Sequence, residues 1–267
     1  FSSQKRARRV EPDALLVRNV CRGVHGADFR HLLYGLNYSG TVVSVNSFQS
    51  LLAFQERAVV YGELNRLRRV HGAAAFPFIE TSYHPNLDEN LIVDPPFARR
   101  GGAPGSVVVK AGTTCAGYGK MKLSSAADFV DFKTTLSMGA DYFTVEKFVA
   151  ATGDLRVQVV GDTVRAYKRS SDTWKGNMGN VVYDCDVEVT PFLRGCAAIA
   201  RSMFGGLDIA SVDLLEREDG SFAILEVNDS ATGFNGASAA EDVAAVVRIV
   251  VGKMRAAGLE PPPPRDD

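Results

Sequence analysis

Two acids and an amide interrupt apolar, strand-like runs in the last third of the chain. Asp213 stands in Val212-Asp213-Leu214, and Glu226 and Asn228 stand in Ala223-Ile224-Leu225-Glu226-Val227-Asn228. A period of two puts Glu226 and Asn228 on one strand face. If the two runs pair, three oxygen ligands converge. Two carboxylates that close repel each other unless a cation lies between them. Mg2+ suits such a place, because it takes one or two carboxylates and completes its shell with phosphate oxygens and water. The plainer reading leaves both acids on a solvated sheet face.

Lys110 poses a related question. It ends a run of three valines, where a lysine must reach solvent or meet an anion. The loop behind it carries Gly112, Gly117 and Gly119, which let backbone N–H groups approach a phosphate closely. The GxxxxGK[ST] pattern is absent, since Met121 follows Lys120. A strand-end lysine before a hairpin is the competing reading.

Three further cations complete the set. Arg156 and Arg169 flank Gly161-Asp162, and Lys175 sits in a Gly/Asn/Ser-rich stretch with Asn177. Arginine forks and a lysine point charge would together neutralise a triphosphate, although each alone reads as a surface residue. Trp174, the one tryptophan, is a stacking or a packing residue. His25, His31, His71 and His84 have no ligand-like spacing, and no Ser/His/Asp or Cys/His set is arguable. No catalytic residue is assigned on this ground.

The elements that must hold these groups follow from periodicity. Strands are predicted at 13–17, 41–45, 107–110, 120–123, 142–149, 207–215 and 222–228, with a strand start at 76–79. Two alternating runs, 155–160 and 163–169, flank Gly161-Asp162 and make a hairpin. Helices are predicted over 29–36, with Gly40 as the stop, and over 48–70, 125–137 and 190–204. In the last helix Val243, Val246, Val247, Val250, Val251 and Met254 form one stripe, read as core packing. Residues 84–105 and 171–180 read as loops, and Pro261–Pro264 as a polyproline-like tail. Hairpins interleaved with helices mean α+β, and the lack of GxGxxG after a strand argues against a dinucleotide-binding sheet.

Composition narrows the classes. The 267 residues allow one to two domains, and 46% hydrophobic with 23% charged residues is globular. Thirty Lys+Arg against 31 Asp+Glu leave a net charge of −1, so no basic field favours nucleic acid. No apolar run reaches the ~18 residues of a membrane span. Cys21, Cys115, Cys185 and Cys196 are widely spaced, which fits a cytoplasmic protein better than a zinc site or a disulfide scaffold. Asn37-Tyr38-Ser39 and Asn228-Asp229-Ser230 match the glycosylation pattern by chance on that reading. The basic cluster Lys5, Arg6, Arg8, Arg9 reads as a solvated helix end, and a start at Phe1 suggests a fragment.

Ordered motifs carry a resemblance. Lys110 with its glycine loop, Glu146-Lys147-Phe148-Val149, Asp154-Leu155-Arg156, Arg169, Asp213 and Glu226-Val227-Asn228 resemble the ATP-grasp fold. With Val45-Asn46-Ser47, Ala166-Tyr167, Trp174-Lys175 and Phe204-Gly205-Gly206-Leu207-Asp208-Ile209, the chain from about Glu11 to Met254 is similar to the central domain of synapsins.

The resemblance implies ATP held between two α+β lobes, with a remnant α/β segment at 1–46, an ATP-grasp domain at 47–257 and a tail at 258–267. Arg57 (where synapsins have lysine) and Lys110 would contact phosphates, aided by Gly117, Gly119, Arg156 and Arg169. Glu146, Lys147, Phe148 and Val149 would form the adenine hinge. Lys175 would ride on a closing loop, here shorter than in synapsins. Asp213, shorter than the family's Glu, with Glu226 and Asn228 would hold Mg2+ or Ca2+. The family implies a homo-oligomeric, cytoplasmic protein peripheral to synaptic vesicles that regulates neurotransmitter release. Glu-x-Asn resembles instead the catalytic ATP-grasp ligases, which join a carboxylate to an amine through an acyl phosphate, with Arg156 and Arg169 as catalytic cations. A third reading is an ATP-dependent scaffold that engages partners through its proline-rich tail.

Overall fold

A computed structural model describes residues 10–24, 27–85, 105–113, 118–136, 142–175, 180–234, 238–261 and 263. The chain opens as β-α-β. Strand β1 (Ala14–Leu16) pairs in parallel with β4 (Val43–Val45), and α1 (Arg30–Ser39) connects them. Gly40, at φ 69°, ends α1 as expected. The small hairpin β2 (Arg22–Val24) and β3 (Ala27–Asp28) lies between β1 and α1. Only Leu33 of α1 is buried; Phe29 and Leu32 stay about half exposed, so the expected stripe is not a core stripe.

Residues 48–70 form two helices rather than one. Helix α2 (Phe48–Ala53) is capped by the Ser47 side chain, which accepts from the Ser50 N–H. Helix α3 (Arg57–His71) follows a break at Phe54–Glu56 and buries Val60, Tyr61, Leu64 and Leu67.

Two antiparallel sheets carry the rest. The four-stranded sheet runs β5-β8-β6-β7, from Thr81–His84, Phe143–Lys147, Val107–Ala111 and Lys120–Leu123. Helix α4 (Ala126–Leu136) covers one face, where Val107, Val109, Leu123, Phe132, Phe143 and Val145 form a core. Period two leaves Val108 and Lys110 facing the other way.

The five-stranded sheet runs β11-β10-β9-β12-β13. Its central hairpin, β9 (Gly153–Val160) with β10 (Thr163–Ser170), turns at Gly161, whose φ is +60°. Strands β12 (Ile209–Glu216) and β13 (Phe222–Asn228) form the second hairpin. Strand β11 (Val182–Val187), absent from the sequence reading, adds an edge to β10.

One face of this sheet is apolar. Leu155, Val157, Val159, Val212, Leu214 and Ile224 pack there against α3 and α5 (Pro191–Arg201). Each such side chain, fully buried, contributes about 1.5–3 kcal/mol.

The segment 76–79 is not a free strand. Phe78 bridges Ile224 in parallel, and the chain then crosses to the other sheet to become β5. Helix α6 (Ala239–Ala256) packs Ala245 and Val246 on Val45, Val160 and Ile209. Val246 and Met254 of its stripe are buried, whereas Val243 and Val247 are exposed, which corrects the expected all-core stripe. Among the described residues no helix is long and apolar enough to cross a membrane. Residues 86–104 and 176–179, Gly117, Cys115, His25 and most of the tail lie outside the described residues.

Candidate functional site

The polar face of the five-stranded sheet is built from one cross-strand row. Tyr167 on β10 stands opposite Arg156 on β9, Arg156 opposite Asp213 on β12, and Asp213 opposite Glu226 on β13. A neighbouring row places Gln158 beside Ser211 and Ser211 beside Asn228. Strict alternation would have set Glu226 with Ile224 on the core face. A bulge at Leu225 prevents this: Asp213 pairs with Glu226 but Leu214 pairs with Ile224. The extra residue re-aims Glu226 and Asn228 while Ile224 and Val227 stay in the core.

Asp213 is buried and does not wait for a metal to neutralise it. Arg156 grips it with both sides of its fork, Nε to Oδ1 at 2.6 Å and Nη2 to Oδ2 at 2.8 Å. Arg169 Nη2 lies 3.5 Å from Oδ1 and also pairs with Asp154. Burial pushes the Asp213 carboxyl up, but Arg156 and Arg169 outweigh it and hold it below the usual carboxylate range. Asn228 Nδ2 donates to Asp213 Oδ2 at 3.3 Å. Both arginines, expected to face phosphates, are thus tied to carboxylates, although Arg169 borders both cavities described below and Arg156 one of them.

Lys110 is displaced further from expectation. Its side chain is 1% exposed, and the ammonium donates to Glu146 Oε2 at 2.7 Å and to the Tyr61 hydroxyl at 2.8 Å. Burial opposes its charge, yet Tyr61, Glu146 and Glu226 raise its pKa above the ordinary lysine value. Lys110 lines neither cavity described below. Lys120, its direct cross-strand neighbour, lines both. Burial depresses the Lys120 pKa, with Glu226 opposing and the Lys110 charge reinforcing the fall. In the sequence Lys120 stands out only as the lysine of an incomplete P-loop pattern; its place closing the same glycine loop is the signal that marks it.

Two cavities flank this row. The larger, of 480 Å³, lies between the sheets. Ile79, Val108, Phe148, Val149, Leu215 and Leu225 give it an apolar slot. Glu146, Lys147, Asp154, Asp213, Trp174 and Lys175 edge it. Phe148 stands edge-on to Trp174, with ring centres 6.4 Å apart, and Lys122 Nζ covers the Phe148 ring at 3.7 Å. Within the expected hinge the Phe148 N–H is committed to the Ser106 carbonyl at 2.9 Å.

The smaller cavity, of 340 Å³, is bordered by Arg22, Arg57, Arg156, Asn228 and Asp229. Arg57 Nη1 donates to the Gly112 carbonyl at 2.7 Å, across to the four-stranded sheet. Lys120, Arg169 and Glu226 belong to both walls. Gly119, at φ +61°, closes the β6–β7 hairpin through its carbonyl, which accepts from the Ala111 N–H, and is not a lining residue.

The donors suit a hard cation. The Glu226 side chain makes no hydrogen bond or ion pair among the described residues, and Glu226 lines both cavities. Asp213 keeps lone pairs beyond those taken by Arg156, since a carboxylate offers about four acceptor sites. Among the described residues no three acids, histidines or cysteines gather as a ready metal cluster. A cation here would therefore need phosphate oxygens and water to fill its shell.

Comparisons with known proteins bear on the family and the fold. Residues 46–256 match the family model described as the synapsin ATP-binding domain. Synapsin of Drosophila melanogaster is 28% identical over 260 residues, which is 95% of this chain and 24% of that protein. The chain thus spans about a quarter of that relative's length. Among solved structures, D-alanine-D-alanine ligase from Coxiella burnetii superposes with a TM-score of 0.67 at 15% identity, covering 93% of this chain and 72% of that one. A RimK-domain ATP-grasp protein from Sphaerobacter thermophilus gives 0.62 at 19% identity, covering 90% and 81%. Both establish the ATP-grasp fold.

Proposed function

The chain belongs to the synapsin ATP-binding-domain family, and we propose that it binds ATP with a divalent cation at the junction of its two cavities. One observation carries this reading: Lys120, Arg169 and Glu226 line both cavities, beside Asp213. The purine would occupy the apolar slot of the larger cavity. With the Phe148 amide committed, the main chain of Lys147 and Val149 would read the base edge. The triphosphate would run toward Lys120 and Arg169, with Arg57 and Lys175 at the rim. Glu226, with Asp213 and the Asn228 amide oxygen, would hold Mg2+, which draws charge from the β- and γ-phosphates when bound. Lys110 would act indirectly, by fixing Glu146 and adding positive potential behind Lys120.

The test is calorimetric titration of ATP with Mg2+ and with chelator. Glu226→Gln should weaken Mg2+-dependent binding about tenfold or more, since it removes the charged ligand without changing shape. Wild-type affinity in that variant, or no metal dependence in the parent, would overturn the reading.

Family membership also supports a vesicle-associated regulatory role and self-association. Sedimentation that shows only monomer with and without ATP would refute the second, and failure of the longer parent protein to co-purify with vesicles would refute the first. The 340 Å³ cavity beyond the phosphate junction favours a second reading, a carboxylate–amine ligase. ADP release that depends on an added amine acceptor would support it; tight binding without turnover would exclude it.

A further inference from the structure

Among the described residues, the four-stranded sheet is tethered by the chain at one end. The chain enters it at Thr81 and leaves after Lys147, and these points are neighbours: Thr81 pairs with Glu146, and Val107 with Lys147. Ala111 paired with Phe143 marks the opposite end, about 13 Å away along β8 at about 3.3 Å per residue. There the hold is non-covalent and comes from two consecutive residues. Glu56 accepts the Tyr142 hydroxyl, and Arg57 Nη1 donates to the Gly112 carbonyl at 2.7 Å. The Gly112 N–H in turn donates to the Tyr142 carbonyl at 2.8 Å, so the four residues close a ring across the gap.

Glu56 stands where a short side chain would cap α3, yet its carboxylate makes no capping bond. One oxygen holds Tyr142, and the other takes Arg22 of β2. Burial and the Glu56 charge raise the Tyr142 pKa, so the hydroxyl keeps its proton and stays a donor. Neither Glu56 nor Tyr142 lines either cavity. Their neighbours do: Gly112 opens the loop that Gly119 closes onto Ala111, and the next residue, Lys120, lines both cavities with Glu226 of the other sheet. A movement at this end of the sheet is therefore carried to Lys120.

We infer that Glu56 is a positioning residue for the nucleotide site: by holding Tyr142 it latches the free end of the four-stranded sheet to α3 and sets the place of Lys120 over the Asp213–Glu226 row. This rests on the reading that the nucleotide binds along that row. Release of the latch lowers the fraction of molecules arranged to bind, and the apparent affinity falls with that fraction. Tyr142→Phe removes one oxygen and leaves Glu56 paired with Arg22, so no charge is stranded and the melting midpoint should fall by a few degrees at most.

The experiment combines calorimetric titration of Mg2+ and ATP with amide hydrogen exchange. Tyr142→Phe and Glu56→Ala should each weaken ATP about tenfold, and the double variant should lie within about twofold of either, because both changes remove the same bond. Tyr83→Phe, on the same sheet, should bind within about twofold of the parent. Without ligand, exchange at the Gly112 amide should quicken about tenfold in Tyr142→Phe while the Phe148 amide, at the tethered end, keeps its rate; saturating Mg2+ and ATP should restore Gly112. Parent-like affinity in Tyr142→Phe, additive losses in the double variant, or equal quickening at Gly112 and Phe148 overturns the inference. A parent that binds no ATP, with Gly112 still quickened selectively in the variant, sinks the nucleotide reading and leaves the latch standing. Should Tyr142→Phe not melt cooperatively, Glu56→Gln takes its place: the amide oxygen keeps a weaker bond to the hydroxyl, so affinity should fall about threefold with faster exchange at Gly112, and unchanged exchange there overturns the assignment.

Discussion

Lys110 and Lys120 face each other across one hairpin, and both are largely withdrawn from water. The arrangement holds because Glu146 and the Tyr61 hydroxyl receive one ammonium, while the potential of Glu226 reaches both. Removing one partner of so buried a pair strands the other. Lys110→Met should therefore lose about 3–5 kcal/mol of stability, and Lys110→Met with Glu146→Gln should recover most of it. Urea midpoints of the two variants decide the point; equal losses would mean that the pair does not act as a unit. The raised Lys110 pKa also sets a pH limit. Its contribution is complete below the ordinary lysine value of 10.5 and is lost as pH climbs above that through the raised folded value. The urea midpoint should fall above about pH 10.5 more steeply in the parent than in the double variant, and parallel curves would contradict this. Residue types alone pointed to Lys110 as a phosphate ligand. They could not reveal Tyr61, which arrives from α3, forty-nine positions away.

Elements were legible where one face alone is buried. The hairpin at Gly161, the paired strands bearing Asp213 and Glu226, and the glycine stop after α1 all follow from alternation and turn chemistry. Four features were not legible, for identifiable reasons. Strand β11 lies on a sheet edge and exposes Val182 and Tyr183, so it has no buried face to leave a pattern. The apolar stretch at 76–79 looks strand-like because Phe76 and Phe78 are buried, yet it makes a single bridge before changing sheets. In α6 the buried face runs through Asp242, Ala245, Val246 and Met254, so Val243 and Val247 fall outside it. Val246→Ala should cost about 2 kcal/mol by opening a cavity, and Val243→Ala should stay within about 0.5 kcal/mol. Thermal denaturation of both separates them; comparable losses would return Val243 to the core. The bulge at Leu225 is the subtlest case. It adds one residue to β13, and on it depends which way Glu226 faces.

On the scale of the whole molecule, the lobes meet through few side chains. Asn46, fully buried at φ 53°, accepts the Asp208 and Ile209 N–H groups and donates to the Ile209 carbonyl, which fastens the opening β-α-β to β12. Helix α3 reaches the four-stranded sheet through Arg57 and Tyr61. On the far side the Trp174 segment leans on Phe148. As the single tryptophan at the rim of the larger cavity, Trp174 should report closure: saturating Mg2+ and ATP should shift its emission to the blue, and Lys175→Ala should diminish that shift. An emission spectrum indifferent to nucleotide would place the segment outside the closing motion. The three side chains shared by the two chambers have a last consequence. An occupant on one side alters the field and the freedom of Lys120, Arg169 and Glu226 for an occupant on the other, so the two events cannot be energetically independent. Whatever factor the first imposes on the affinity of the second, the second must impose on the first, and the sign of that reciprocal linkage tells whether the partition works as a bridge or as a toggle.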